Sequence, residues 1–245
     1  MIRIKAVCGN KKENKKDGYY IRHPPGCLSN AKTGGEVMVK RWENIERADF
    51  LSVGEYDIPT IEPVEFSGNT KFIPFNYAAS CKKREDKSIH FFVDDYQFTR
   101  LWNDPDRYMP MLREYQYVLT PDFSVYTDFP KALQIYNHYR KHWIGAYMQM
   151  HGINVIPTIA WSTPDSYEWC FDGEPTHGTV AISSVGTQKD KIAKELFLKG
   201  YKEMIRRLEP ESIIFYGNVP EECKGNIIRV KAFQEKFSEA KCDGW

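Results

Sequence analysis

The sequence predicts an α/β protein whose parallel sheet curls into a β/α barrel or partial barrel, with an open doubly wound sheet as the alternative. Two observations carry this. From residue 88 onward, apolar β-rich runs recur, and helical periodicity follows most of them. Strands that are apolar throughout belong to parallel sheets covered by helices. A third observation sets the limits of that domain. Residues 1–80 are irregular and dense in turn formers, so they read as a basic N-terminal segment or small lobe beside an α/β domain over 81–245.

The elements follow in order. "IRIKAVC" is a short strand, and "GNKKENKKDG" is a charged, Gly-bounded loop. "HPPGCLSNAKTGG" excludes long helices, and prolines hold "DIPTIEPV" extended. "EVMVKRW" and "KFIPFNYA" are strand-like. "IHFFVDD" is the first strand of the main series, with a helix after it from about Phe98 to Glu114. "YQYVLTPD" repeats the pattern. The next helix runs from about Pro130 to His151, with Ala132, Ile135, Tyr136, Tyr139, Trp143, Tyr147 and Met150 forming an apolar stripe. "INVIPTIAW" is a strand, "SYEWCF" a short helix and "TVAISSVG" another strand. A helix from about Lys189 to Leu208 carries Ile192, Ala193, Leu196, Phe197, Tyr201, Met204, Ile205 and Leu208 on one apolar face, and "ESIIFYGN" and "NIIRV" close the series.

Composition narrows the class. Hydrophobic residues make up 42% and charged residues 27%, as in ordinary globular proteins. Aromatics reach 14%, which permits a large core or stacking surfaces. The net charge of +1 gives no overall electrostatic bias, but residues 1–41 carry ten Lys/Arg against three acids. Lys11, Lys12, Lys15, Lys16 and Arg22, with the tyrosines of "DGYYIRH", suit single-stranded nucleic acid; a solvated surface segment is the plainer reading. The six cysteines are scattered without a CxxC, so reduced thiols and a cytoplasmic setting are expected. The N-terminus has no apolar signal-peptide core. Trp143 to Pro164 lacks Asp, Glu, Lys and Arg, but Gln149, His151, Gly152, Asn154 and Pro157 interrupt it, so no membrane span is expected.

Parallel sheets place their sites where strands end. Those ends carry Asp94 and Asp95 in "HFFVDDYQF", then Asp122, Trp161, Ser183, Tyr216 and Asn218. Asp94, Asp95 and Asp122 are the candidate catalytic groups. Converging carboxylates serve as acid, base or nucleophile, or hold Mg²⁺ or Mn²⁺, with Asp94 and Asp122 as the ligands. Successive strand residues face opposite ways, so one of the pair caps a helix unless the strand has already ended. Asp128, in "YTDFP", reads as a cap. Tyr96, Trp161 and Tyr216 are candidate stacking residues, Ser183 and Asn218 polar contacts, and Arg140 a phosphate partner or a surface arginine. His138 and His142 have the i, i+4 spacing of helical metal ligands, but the sequence lacks the Glu of a metalloprotease motif and packed histidines are favoured. Cys8, His23, Cys27 and Cys81 match no strong zinc spacing, and buried reduced cysteines are the simpler reading. The sequence has no Walker loop, GxGxxG or GxSxG.

"FVDDYQFTRLWNDPDRY", "YVLTPDFSVYTDFPKALQIYNHYRKHWIGAYMQMHGINVIPTIAW" and "SYEWCFDG" together resemble domain of unknown function 4417, a family of phage and other mobile-element genes. The resemblance runs from about Asp57 to Tyr216. It implies a mobile-element origin and a host-cytoplasmic setting, and it brings no activity with it. Two hypotheses result. One is an enzyme acting on a nucleotide, nucleobase or nucleic acid. The other is a non-catalytic protein that binds nucleic acid or a host factor through its basic N-terminal part.

Overall fold

A computed structural model describes residues 43–68 and 70–232. A two-stranded antiparallel hairpin, β1 (Ser52–Val53) and β2 (Ile58–Pro59), precedes the main sheet. Four parallel strands follow in chain order: β3 (Lys71–Pro74), β4 (Lys87–His90), β5 (Val118–Leu119) and β6 (Val155–Ile156). A second parallel set holds β7 (Thr179–Ser183), β8 (Ser212–Tyr216) and β9 (Ile227–Val230). A parallel bridge from Thr158 to Ala181 joins the two sets. Ile159 N–H donates to the Ala181 carbonyl, and Ala181 N–H donates to the Pro157 carbonyl, both at 2.8 Å. Seven strands therefore run parallel in sequential order.

A sheet wound in one direction curls, and this one brings the ends of β4 and β8 face to face. Phe92, just past β4, stacks on Tyr216 of β8 with ring centroids 4.8 Å apart. β3 and β9 are not paired, so the described residues form no closed barrel. The α/β class and the parallel sheet are as the sequence predicts. β3 belongs to this sheet although it lies before residue 81.

The helices arise where periodicity predicts them, with one break. The segment after β4 divides into α1 (Thr99–Asn103) and α2 (Pro105–Leu112), because Pro105 cannot supply the N–H a continuous helix would need at that point. α3 spans Lys131–Met150 and α4 Lys191–Leu208. Asp190 caps α4 by accepting from Ala193 N–H at 2.7 Å. Asp128 caps nothing: Pro130 holds the N-cap position of α3, with no side-chain cap. Among the described residues, no helix is long and apolar enough to cross a membrane. The strands proposed in "IRIKAVC" and "EVMVKRW" lie outside the described residues.

The first half of α3 departs from the expected stripe. Ala132 is exposed and Ile135, Tyr136 and Tyr139 are half-buried, while Gln134, Asn137, His138 and Lys141 are buried. The helix turns a polar face inward, and each of those side chains finds a partner there. Its second half buries Trp143, Ile144 and Met148 against the core around Ile89, Val118 and Val155.

α4 packs on the other core, with Phe197, Tyr201 and Met204 against Val180, Ile213 and Phe215, while Ile192 of the expected apolar face stands in the first turn and is 69% exposed. Gly200 lets it approach closely, since a Cβ there would lie 2.2 Å from the Trp161 Nε1. Gly200→Ala is expected to destabilise the protein by about 1–3 kcal/mol, because a ring packed against Phe197 has little room to retreat. Chemical denaturation of the purified variant measures this.

Candidate functional site

β4 stops at His90, before the acid pair. The chain then turns tightly, with Val93 N–H donating to the Phe91 carbonyl at 2.7 Å, and Asp95–Gln97 form a single 3-10 turn. This frees Asp94 and Asp95 from strand alternation, and both line one cleft. The expected capping role is not seen, since Asp94 at the head of that turn makes no side-chain cap.

The cleft has a volume of about 700 Å³ and opens at the C-terminal ends of β3, β4, β7, β8 and β9. Its carboxylates are Asp94, Asp95 and Asp122, and its described lining contains no Lys or Arg. Phe92 and Tyr216 form a stacked wall, with the His90 ring 4.8 Å from that of Tyr216. Tyr77, Tyr96 and Tyr126 also line the cleft and are 51%, 77% and 62% exposed. Exposed rings gathered at a cavity mouth are unusual on a surface without a partner.

The acids sit in different settings. Asp94 is exposed at the rim. Asp95 is half-buried and accepts two hydrogen bonds from Ser124, from N–H at 3.1 Å and from Oγ–H at 2.8 Å. Asp122 follows β5. Burial pushes its carboxyl up to about 7, the charge of Asp95 adds to the shift, and the Lys141 ammonium opposes it. Asp95→Asn is therefore expected to lower the Asp122 midpoint, read from the carboxyl ¹³C shift against pH. An unchanged midpoint would assign the whole shift to burial.

A row of contacts behind the cleft fixes Asp95. Asn137 donates to the Ser124 carbonyl at 2.6 Å, and Arg140 Nη2 donates to Asn137 Oδ1 at 2.5 Å. The Arg140 guanidinium lies 4.0 Å from the Phe123 ring centroid and 4.8 Å from that of Tyr136. Arg140 is thus neither a surface residue nor part of the cleft lining; it stands one layer behind.

The other candidates divide. Tyr96, Ser183 and Tyr216 line the cleft. Trp161 does not; it packs on Phe197, 5.5 Å away. Asn218 lies just past β8, where its carbonyl accepts from Ser184 Oγ–H at 2.6 Å and its side chain from Arg229 at 2.8 Å. Lys11, Lys12, Lys15, Lys16 and Arg22 lie outside the described residues, as do Cys8, His23 and Cys27. Cys81 is half-buried, with Lys87 Nζ 3.1 Å from its sulfur. Sequence reasoning missed Ser124, Asn137 and the Phe92 wall. The "PDFS" run was the one available signal for Ser124, because a hydroxyl two residues past a strand-end acid is a ready local donor.

The aspartates do not bring three ligand atoms together. Among the described residues, the group of three His, Cys, Asp or Glu side chains whose ligand-type atoms converge within 4.8 Å is His138, His142 and Glu174, away from the cleft.

Comparison with known proteins agrees with the resemblance carried by the motifs. The family described as Domain of unknown function (DUF4417) matches residues 50–234. A "Gene 1 protein" of Mycobacterium phage L5 is 41% identical over 180 residues, covering 71% of this chain and 76% of that protein. A "Gene 1 protein" of Mycobacterium phage D29 is 38% identical over 209 residues, covering 81% of this chain and 75% of that one. No solved structure matches. With most of its length matched and two phage proteins among its relatives, the chain belongs to the DUF4417 family.

Proposed function

We propose that the cleft is the active site of an enzyme that performs acid–base chemistry on a nucleobase, nucleoside or nucleotide. One observation carries the reading: three carboxylates from two strand ends line one aromatic-walled cavity at the C-terminal edge of a parallel sheet. A planar, hydrogen-bonding ring matches those walls, stacking on Phe92 and Tyr216 while Ser183 and Gln97 reach its edge. Asp122 is the general acid–base group, since a carboxyl that titrates near neutrality can both give and take a proton. Asp95 keeps that proton in place through its charge.

The lining favours neutral or cationic ligands over bare phosphate. A substrate with a phosphate would need Mg²⁺ or Mn²⁺ held by Asp94 and Asp122. Ligand-induced thermal shifts test the proposal, with bases, nucleosides and nucleotides, each with and without Mn²⁺. A ligand at one hundred times its Kd stabilises the folded state by about 2.7 kcal/mol. The expected result is a nucleoside-class response that Asp122→Asn abolishes. Salt-sensitive binding of single-stranded nucleic acid that survives Asp122→Asn, with no small-ligand response, would instead favour the basic N-terminal segment as the functional surface.

A further inference from the structure

We propose that His138, His142 and Glu174 form a binding site for a zinc-like divalent cation that fastens the β1–β2 hairpin and the Glu174 loop to α3. All three side chains are buried, with His138 at 3% exposure and the His142 and Glu174 side chains at 0%. Each offers a ligand atom within 4.8 Å of the others. The site is separate from the cleft and does not depend on its proposed chemistry.

Counting protons leads to a cation. His142 Nδ1 lies 2.9 Å from the Pro59 carbonyl, and His138 Nε2 lies 3.0 Å from the Asp172 carbonyl. A carbonyl only accepts, so each of those nitrogens carries a proton. A neutral imidazole then has a lone pair on its other nitrogen. For His142 that nitrogen, Nε2, sits 3.0 Å from Glu174 Oε1, which is also an acceptor. Two acceptors face each other with no proton between them. Protonating His142 would supply one, but at the cost of a second buried cation beside Lys141. The other carboxylate oxygen, Glu174 Oε2, is buried and has no partner among the described residues. A metal ion satisfies the lone pair and the carboxylate together.

The surroundings match a metal site. Each histidine is oriented by a backbone carbonyl on its far nitrogen, the usual outer support of imidazole ligands. Gly173, at φ +75°, brings the loop in close; a Cβ there would lie 2.5 Å from the Pro59 carbonyl and 2.8 Å from His142 Nδ1. Two imidazoles and one carboxylate select Zn²⁺ or Co²⁺ over Mg²⁺ or Ca²⁺. With the three side chains sealed from solvent, the role is structural. Lys141 competes for the site: its ammonium bonds Glu174 Oε1 and the Thr158 carbonyl, and a metal takes over the first contact.

The test unfolds the full chain in chelator, refolds it with or without Co²⁺, and records the visible spectrum and the melting temperature. The expected result is one tightly bound Co²⁺ with nitrogen–oxygen bands, no near-UV thiolate band, and a higher Tm with metal. Glu174→Gln should weaken binding at least tenfold, and Lys141→Met should tighten it at least tenfold. If Glu174→Gln does not fold, wild type and Lys141→Met decide. No saturable uptake by either overturns the proposal. So does uptake with a thiolate band, which belongs to the cysteines, or uptake that Glu174→Gln leaves unchanged.

Discussion

Replacing Asp122 with Asn should stabilise the protein at pH 8 and leave it nearly unchanged at pH 4. The carboxyl titrates near 3.8 in its ordinary state and near 7 in the folded protein, with burial the main cause. Below about pH 4 both the folded and unfolded states hold the proton, and the substitution removes no charge. Between about 4 and 7 the folded protein keeps a proton that the unfolded chain has released. Wild-type stability therefore falls as pH rises through this window, by up to ~1.4 kcal/mol per unit. Above 7 the loss is complete. Asp122 is half-buried at the cleft surface, so the gain for the Asn variant at pH 8 should be about 2–4 kcal/mol. Paired denaturation curves at the two pH values measure it. Equal effects at both would mean that Asp122 is an ordinary carboxylate. A buried acid kept at a cost to stability is what a catalytic group requires.

Lys141→Met should cost about 3–5 kcal/mol in metal-free protein, since it leaves the buried Glu174 carboxylate without its strongest partner. Zn²⁺ should restore most of that loss, because the cation takes the charge Lys141 supplied. A variant as stable as wild type without metal would show that Glu174 takes up a proton and that the cluster tolerates neutrality. Loss of stability that Zn²⁺ does not repair would leave the Lys141–Glu174 pair as an internal ion pair only.

The strands and the two long helices were legible because apolar runs and helical spacing are local signals. "TVAIS" and "SIIFY" became β7 and β8 where expected. Strand-end position placed Asp94, Asp95, Asp122, Ser183 and Tyr216 in one cleft, since a parallel sheet collects such residues whatever its strand order. It failed at Trp161, which lies five residues beyond β6 and turns toward α4. The buried polar face of α3 was illegible for a different reason. Lys141 and His142 meet Glu174 across 33 and 32 residues, and nothing in "FDGEP" marks that glutamate as a partner of "HYRKHW". Spacing on one helix reveals two ligands, while the third depends on tertiary structure. Arg140 illustrates the same limit: its ring partner Phe123 lies on the loop after β5, which only the packed structure brings over the helix.

Asp122 carries the proposed chemistry, and its carboxyl titration is the most direct measurement. The ¹³C resonance of that carboxyl, assigned by its loss in Asp122→Asn, should move with a midpoint near 7. The midpoint should fall in Asp95→Asn, and a bound nucleoside should shift it. A midpoint near 4, insensitive to Asp95, would contradict the account and leave the cleft without an acid–base group at neutral pH.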